Sequence, residues 1–296
     1  MAEPSVMLSG LRMPESPRWH AGRLWFCNWI DRQVVAVDLD GRSEVAVADA
    51  VPAERPMGYS IDWLHDGRLL VTGDELRTQG PDGSLVTYAE QGGNEIVVDG
   101  RGNIYVNGAD FGMADVGDGP LTSTPPGYIK VIGADGRPRQ VAGDIQFPNG
   151  MVITPDDRTL IVAESFAGRL TAFDIDGDGG LSNRRVFAGG VAPDGICLDA
   201  EGAVWTSAPP AEPGSARSSV VRVAEGGDVL ERLELGEHRA PFAVMLGGPD
   251  RRTLFIMTTE WRAADSITNN LERLTNGPRT GEILTLRVSV PGTGRP

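Results

Sequence analysis

The sequence predicts an all-β protein, a six-bladed β-propeller with a metal ion in its central channel. Three observations predict it. An apolar strand, a polar tight turn and a second apolar strand recur six times along the chain. Further short strands fill the gaps between recurrences. Polar residues stand at matching places where the first strand of several units begins.

The clearest copies run Ile61-Asp62-Trp63-Leu64 into Leu69-Leu70-Val71, Ile96-Val97-Val98 into Ile104-Tyr105-Val106, and Met151-Val152-Ile153 into Leu160-Ile161-Val162. A fourth joins Ile196-Cys197-Leu198 to Val204-Trp205. Looser copies end at Leu24-Trp25-Phe26 and Leu254-Phe255-Ile256. The spacing is uneven, about 46 residues on average, which leaves room for four strands per unit, one propeller blade. Gap strands include Val34–Val37, Tyr128–Val131, Leu170–Phe173, Val220–Val223 and Ile283–Leu286. Six units account for the chain, so residues 1–296 read as a single propeller domain. Val6-Met7-Leu8 precedes the first unit and is expected to close the ring by joining the last blade. No stretch shows convincing helical periodicity of useful length; the best candidate, Ser266–Leu274, is short, and the tail Pro291–Pro296 reads as frayed.

Composition sets bounds. The 39 glycines and 21 prolines are dispersed and mark turns. A net charge of −14 argues against nucleic acid and against anionic membrane surfaces as partners. Cys27 and Cys197 lie in apolar runs and read as buried free thiols. The chain starts without signal-peptide features and contains no span of ~20 apolar residues. The expectation is a soluble, cytoplasmic protein acting on a small molecule.

A propeller gathers the first strand of each blade around one axis. Roughly ten residues before the first apolar residue after each turn (Leu24, Leu69, Ile104, Leu160, Val204 and Leu254) stand Glu15, Ser60, Asn94 or Glu95, Asn149, Asp194 and Ala243. Pro flanks three of these, in Glu15-Ser16-Pro17, Pro148-Asn149-Gly150 and Pro193-Asp194-Gly195. Glu15, Asn149 and Asp194 thus form a candidate set of two carboxylates and an amide oxygen. Such donors suit a hard divalent cation, with Ca²⁺ the first expectation and Mg²⁺, Mn²⁺ or Zn²⁺ as alternatives. Each residue alone has a plainer reading: Asn149 and Asp194 as turn formers, Glu15 as a partner of Arg18.

Three segments, Pro14-Glu15-Ser16-Pro17-Arg18-Trp19, Phe147-Pro148-Asn149-Gly150-Met151 and Pro193-Asp194-Gly195-Ile196-Cys197-Leu198-Asp199, resemble motifs of the gluconolactonase/regucalcin family, which includes senescence marker protein and luciferin-regenerating enzyme. The resemblance runs from about Leu11 to Pro291. It implies a metal-bearing propeller with Glu15, Asn149 and Asp194 as ligands. It further implies Asp194 as general acid/base and Asn94 as a residue facing metal or substrate. Two departures stand out. The family commonly has Asn-Asp where this chain has Asn94-Glu95, and an arginine that contacts sugar lactones in animal members falls near Gly92.

The function expected is metal-dependent hydrolysis of a lactone or related cyclic ester, with Asp194 handling the proton. Asn94, Glu95 and Ser60 are the expected substrate-facing polar residues, and Phe111, Phe147 and Met245 are expected to shape the pocket. Two alternatives stay open: a metal-dependent rearrangement, dehydration or other carbonyl chemistry on a specialised metabolite, and a non-catalytic calcium-binding propeller.

Other motifs carry less. Asp174–Gly179 matches the first half of an EF-hand loop, but Arg185 stands where the bidentate Glu belongs, so it reads as a hairpin turn. Gly58-Tyr59-Ser60-Ile61-Asp62 is not a nucleophile elbow. His20 and His65 are expected to be exposed. The 110–126 stretch is a long insertion that either lids the channel or lies on the surface.

Overall fold

Each apolar strand–turn–strand unit becomes the inner half of a four-stranded antiparallel sheet. The protein is described by a computed structural model covering residues 3–54, 57–111, 124–209, 211 and 217–294. Strand β1 (Ser5–Leu11) is the outer strand of the last sheet. Blade 1 is β2 (Pro14–His20), β3 (Arg23–Asn28), β4 (Gln33–Val37) and β5 (Ser43–Val47). Blade 2 is β6 (Ile61–Trp63), β7 (Leu69–Val71), β8 (Leu76–Gln79) and β9 (Leu85–Ala89). Blade 3 is β10 (Glu95–Val98), β11 (Ile104–Gly108), β12 (Gly127–Ile132) and β13 (Pro138–Ile145). Blade 4 is β14 (Pro148–Ile153), β15 (Thr159–Glu164), β16 (Arg169–Ile175) and β17 (Leu181–Gly189). Blade 5 is β18 (Cys197–Leu198), β19 (Val204–Ala208), β20 (Ser219–Val223) and β21 (Val229–Glu234). Blade 6 is β22 (Arg239–Gly247), β23 (Thr253–Glu260), β24 (Gly281–Arg287) and β1.

The innermost strands touch in ring order, β2–β6–β10–β14–β18–β22 and back to β2. The expected gap strands are the third strands of blades 1, 3, 4, 5 and 6. The N-terminal strand closes the ring as expected: β1 pairs antiparallel with β24, Ser5 opposite Thr285 and Leu11 opposite Gly281. β1 thereby covers the edge that β24 would otherwise present and becomes the outer strand of blade 6.

The repeated turn has a local cause. In Asp99–Asn103, Asp99 Oδ1 accepts the backbone N–H of Arg101 at 2.9 Å and of Asn103 at 2.8 Å. In blade 5, Asp199 Oδ1 accepts from Glu201 at 2.9 Å and Ala203 at 3.1 Å. Glycine follows in the left-handed region, φ 89° at Gly102 and 80° at Gly202. A short carboxylate that binds its own backbone and a residue without Cβ make the reversal that joins β10 to β11 and β18 to β19.

The core lies between neighbouring sheets. Leu24 and Phe26 of blade 1 join Phe255 and Met257 of blade 6 in one cluster. Val152 and Ile161 of blade 4 pack with Val204 and Val221 of blade 5 in another. Each such fully buried side chain contributes about 1.5–3 kcal/mol, so blade-to-blade packing is the main source of stability. Cys27 and Cys197 are buried free thiols within these layers.

The short Ser266–Leu274 candidate, which lacks convincing periodicity in the sequence, is a helix, α1 (Ile267–Asn276), between β23 and β24, with the Ser266 hydroxyl accepting from Asn269 N–H at 3.1 Å as its N-cap. Leu271 and Leu274 pack with Met13, Trp29 and Tyr59. The Asp174–Gly179 segment is the β16–β17 hairpin. Two expectations are corrected. The tail is not frayed through Thr293: Ala200 N–H donates to Pro291 at 2.8 Å and Thr293 N–H to Leu198 at 3.2 Å, which ties it beneath blade 5. His65 is exposed, but His20 is half-buried because its ring stacks on Trp63, 4.0 Å between centroids and 5° between planes. Most of the 110–126 insertion, residues 112–123, lies outside the described residues.

Candidate metal centre and substrate pocket

The stations found by repeat counting coincide with breaks in strand pairing. The β2–β3 register shifts between Glu15 and Arg18, and the β14–β15 register between Pro148 and Met151. These are β-bulges, which turn a side chain out of the regular alternation. Ser16 sits in the left-handed region at φ 49° and Phe147 at φ 54°. The Pro-containing motifs therefore encode kinks that aim Glu15 and Asn149.

Backbone hydrogen bonds tie these kinks together. Gly150 N–H donates to Asp194 O at 3.1 Å, and Gly195 N–H donates to Phe242 O at 2.7 Å. The Asn107 amide donates to Asn149 O at 2.6 Å. Blades 3, 4, 5 and 6 are thus joined at the mouth where the candidate ligands stand.

Glu15 is 1% exposed. Its Oε2 accepts the Ser16 N–H at 2.8 Å, while Oε1 has no partner. Burial raises its pKa well above the carboxylate range, and the neighbouring charges of Asp194 and Glu95 raise it further. Asp194 also has a buried oxygen, Oδ1, without a partner. Its pKa is pushed up to about 8, first by burial and then by Glu95, against the lowering effect of hydrogen bonds from the Asn149 side chain and the Gly195 backbone. Glu15 is buried and Asp194 half-buried; two such carboxylates that repel each other, each with a buried, orphaned oxygen, form an environment that a cation relieves. With the Asn149 amide they make an oxygen donor set that fits a hard divalent ion. Among the described residues no cluster of three His, Cys, Asp or Glu side chains has metal-binding geometry. The candidate set has two such residues and an amide.

Glu95 is placed differently from Glu15 and Asp194. It is 3% exposed and bonded to Arg18 Nη2 at 3.1 Å and to the Ser16 hydroxyl. Arg18 Nη2 also donates to Ile96 O at 2.8 Å. Arg18 therefore neutralises Glu95 across the channel from blade 1 to blade 3, and Glu95 does not face solvent as a substrate contact. The sequence motif contains Arg18, but nothing local to it points to a partner so distant in the chain.

Two further expected pocket residues are corrected. Ser60 is fully buried, and its hydroxyl accepts the Ile96 N–H at 3.0 Å, joining blade 2 to blade 3. Met245 is 2% exposed and belongs to the core between blades 1 and 6. Asn94, Phe111 and Phe147 are half-buried and keep accessible surface. Phe166, which sequence reasoning missed, stacks on Phe147. At Gly92 a Cβ would meet Gly73 O at 2.0 Å and Asp74 C at 2.5 Å, so no side chain fits there.

The profile of the SMP-30/gluconolactonase/LRE-like region matches residues 13–260. The chain belongs to this family. Among family relatives, 6-deoxy-6-sulfogluconolactonase of Pseudomonas putida is 32% identical over 176 residues, 57% of this chain and 56% of that protein. The chain spans about half the length of the curated relatives it matches. Luciferin-regenerating enzyme superposes with a TM-score of 0.76 at 17% identity, covering 99% of this chain and 98% of that one. Regucalcin from Agrobacterium tumefaciens strain C58, described as a calcium-binding protein, gives 0.73 at 22% identity, covering 100% and 96%. These likenesses establish the shared propeller. No helix among the described residues is long and apolar enough to cross a membrane.

Proposed function

We propose that this SMP-30/gluconolactonase-like protein is a metal-dependent lactonase that opens a lactone or related cyclic ester by hydrolysis, with one divalent cation held by Glu15, Asn149 and Asp194. The observation that carries it is the carboxylate pair Glu15 and Asp194, each with a buried oxygen lacking any partner at the same channel mouth. The relatives named as gluconolactonases supply the reaction class.

A cation held by Glu15, Asn149 and Asp194 would supply Lewis-acid polarisation of a carbonyl and acidify water. The chain's own residues do the rest. Asn94 orients the lactone at the mouth. Asp194 takes a proton from the attacking water and returns it to the ring oxygen as the acyl C–O bond breaks. Arg18 holds Glu95 in an ion pair, which fixes that side chain in place beside the site. The product is a hydroxy acid, which ionises and releases one proton per turnover near neutral pH.

A pH-indicator screen tests this: lactones are offered to protein stripped with chelator and then given Ca²⁺, Mg²⁺, Mn²⁺ or Zn²⁺ in turn. The expected result is stoichiometric acid release that needs metal and is abolished in Asp194→Ala, with that variant still folded. Full activity in Asp194→Ala, or metal-independent turnover, defeats the proposal. Metal binding and stabilisation with no turnover of any lactone favours the non-catalytic alternative.

A further inference from the structure

Three phenylalanine rings form a wall beside the Asn149 and Asp194 segments. Phe147 stands two residues before Asn149. Phe166 stacks on it at 4.3 Å between centroids and 8° between planes, and Phe111 packs at 5.8 Å and 40°. All three rings are half-buried, so each keeps some accessible surface. Backbone and hydroxyl contacts fix the wall to the site. Ser165 N–H donates to Phe147 O at 3.1 Å. The Ser165 hydroxyl donates to the carbonyl of Pro193, the residue before Asp194, at 2.7 Å.

Along blade 3 the nearby polar groups are engaged with each other, Lys130 Nζ donating to Gln91 Oε1 at 2.6 Å. The two residues before Asn94 are Gly92 and Gly93, and neither admits a side chain: a Cβ on Gly93 would lie 2.2 Å from Asn107 O, and one on Gly92 2.0 Å from Gly73 O. Asn94 is then the polar side chain this station offers. Three phenyl rings offer no hydrogen-bond partner to a polyhydroxylated substituent, so any hydroxyl buried against them is left unpaired, at a cost. An alkyl or aryl group there loses only apolar hydration.

We infer that the substrate is a lactone carrying an apolar alkyl or aryl substituent, and that Phe111, Phe147 and Phe166 seat that substituent. This deepens the lactonase reading and rests on it. Phe166 acts as a specificity residue through its ring surface and its support of Phe147.

The test is a series of δ-lactones differing only in the alkyl chain on the ring carbon next to the ring oxygen, from δ-valerolactone to δ-decalactone, with glucono-δ-lactone as the polar member. The matching δ-lactams serve as unreactive probes in calorimetric titrations. The expected result is kcat/KM rising roughly threefold per added methylene, lactam Kd falling in parallel, and a flatter slope in both for Phe166→Ala, partly restored in Phe166→Leu. A flat series, a preference for glucono-δ-lactone, or a slope unchanged by Phe166→Ala overturns the inference. The two readings fail separately. If no lactone opens with any metal, the lactonase assignment falls, and the lactam series still reports on the wall: a flat lactam slope alone sinks the inference.

Discussion

The backbone N–H of Gly150 donates to the carbonyl oxygen of Asp194 at 3.1 Å, so the Asn149 and Asp194 side chains stand on segments bonded directly to each other. The contact is close because residue 150 has no side chain. A Cβ there would meet Asp194 O at 2.6 Å, Ile196 N at 2.7 Å and Gly195 Cα at 2.9 Å, all backbone atoms that cannot rotate away. Gly150→Ala therefore separates blades 4 and 5 at the site. The expected cost is about 1–3 kcal/mol of stability. Ca²⁺ affinity is expected to fall roughly tenfold or more as the donors move apart, since tenfold corresponds to only ~1.4 kcal/mol. Calorimetric titration and thermal melts measure both. Gly177→Ala, in the open β16–β17 turn where a Cβ would meet no atom within 4 Å, is the control and is expected to change neither.

Glu15 and Asp194 also set a pH dependence. Both carboxyl pKa values are raised in the folded chain, that of Asp194 to about 8. An unfolded Asp titrates near ~3.9, so between these values the folded chain holds a proton that the unfolded chain has lost. Stability from this source is fully present below about pH 4 and is lost as pH rises towards 8. Chelator-treated protein is expected to melt at progressively lower temperature from pH 5 to pH 8. Added Ca²⁺ is expected to raise the midpoint more at pH 8 than at pH 5, because binding displaces the proton. Asp194→Asn should flatten both trends in scanning calorimetry. An apo midpoint that rises over this window contradicts the assignment.

Much of this site was legible because a propeller converts sequence period into spatial convergence. Glu15, Asn149 and Asp194 stand at similar distances before the next turn, and Pro beside Glu15 and Asn149 marks the bulges. The fold was legible for the same reason, down to β1 closing blade 6. What period cannot give is the direction in which a side chain faces, or which group claims its hydrogen bonds. Ser60 and Met245 occupy plausible stations, yet one is bonded to Ile96 N–H and the other packs in the core. The partner of Arg18 lies 77 residues away, two blades round the ring, and the tail's anchor at Leu198 lies 95 residues from Thr293. Such pairings come from ring closure, which leaves no local trace in the chain.

The Arg18–Glu95 pair yields the next prediction. Both side chains are almost fully buried, 6% and 4% exposed, and the bond measures 3.1 Å. Removing the cation alone leaves Glu95 charged beside Glu15 and Asp194, and breaking such a pair costs about 3–5 kcal/mol. Arg18→Met is expected to lose stability on that scale in urea unfolding. Combining it with Glu95→Gln should recover much of the loss, because the uncompensated charge goes too. A double variant as unstable as Arg18→Met alone would show that Arg18 acts through packing and its bond to Ile96 O.

Arg12 links the ring closure to the helix over blade 1. Its Nη1 donates to the carbonyls of Leu274 at 2.7 Å and Thr275 at 2.8 Å, the last turn of α1. These carbonyls have no partners within the helix, and a guanidinium there complements both the unpaired acceptors and the negative end of the helix dipole. The anchor matters because Leu271 and Leu274 pack in the same cluster as Met13, next in sequence to Arg12, and as Phe242, whose carbonyl holds Gly195 beside Asp194. Arg12→Ala is expected to cost about 1 kcal/mol and to free the C-terminal turn of α1 first. Hydrogen exchange should quicken over residues 271–277 while β14 and β18 keep their protection. Uniform loss of protection across the blades would mean that Arg12 serves the ring closure as a whole and not the helix end.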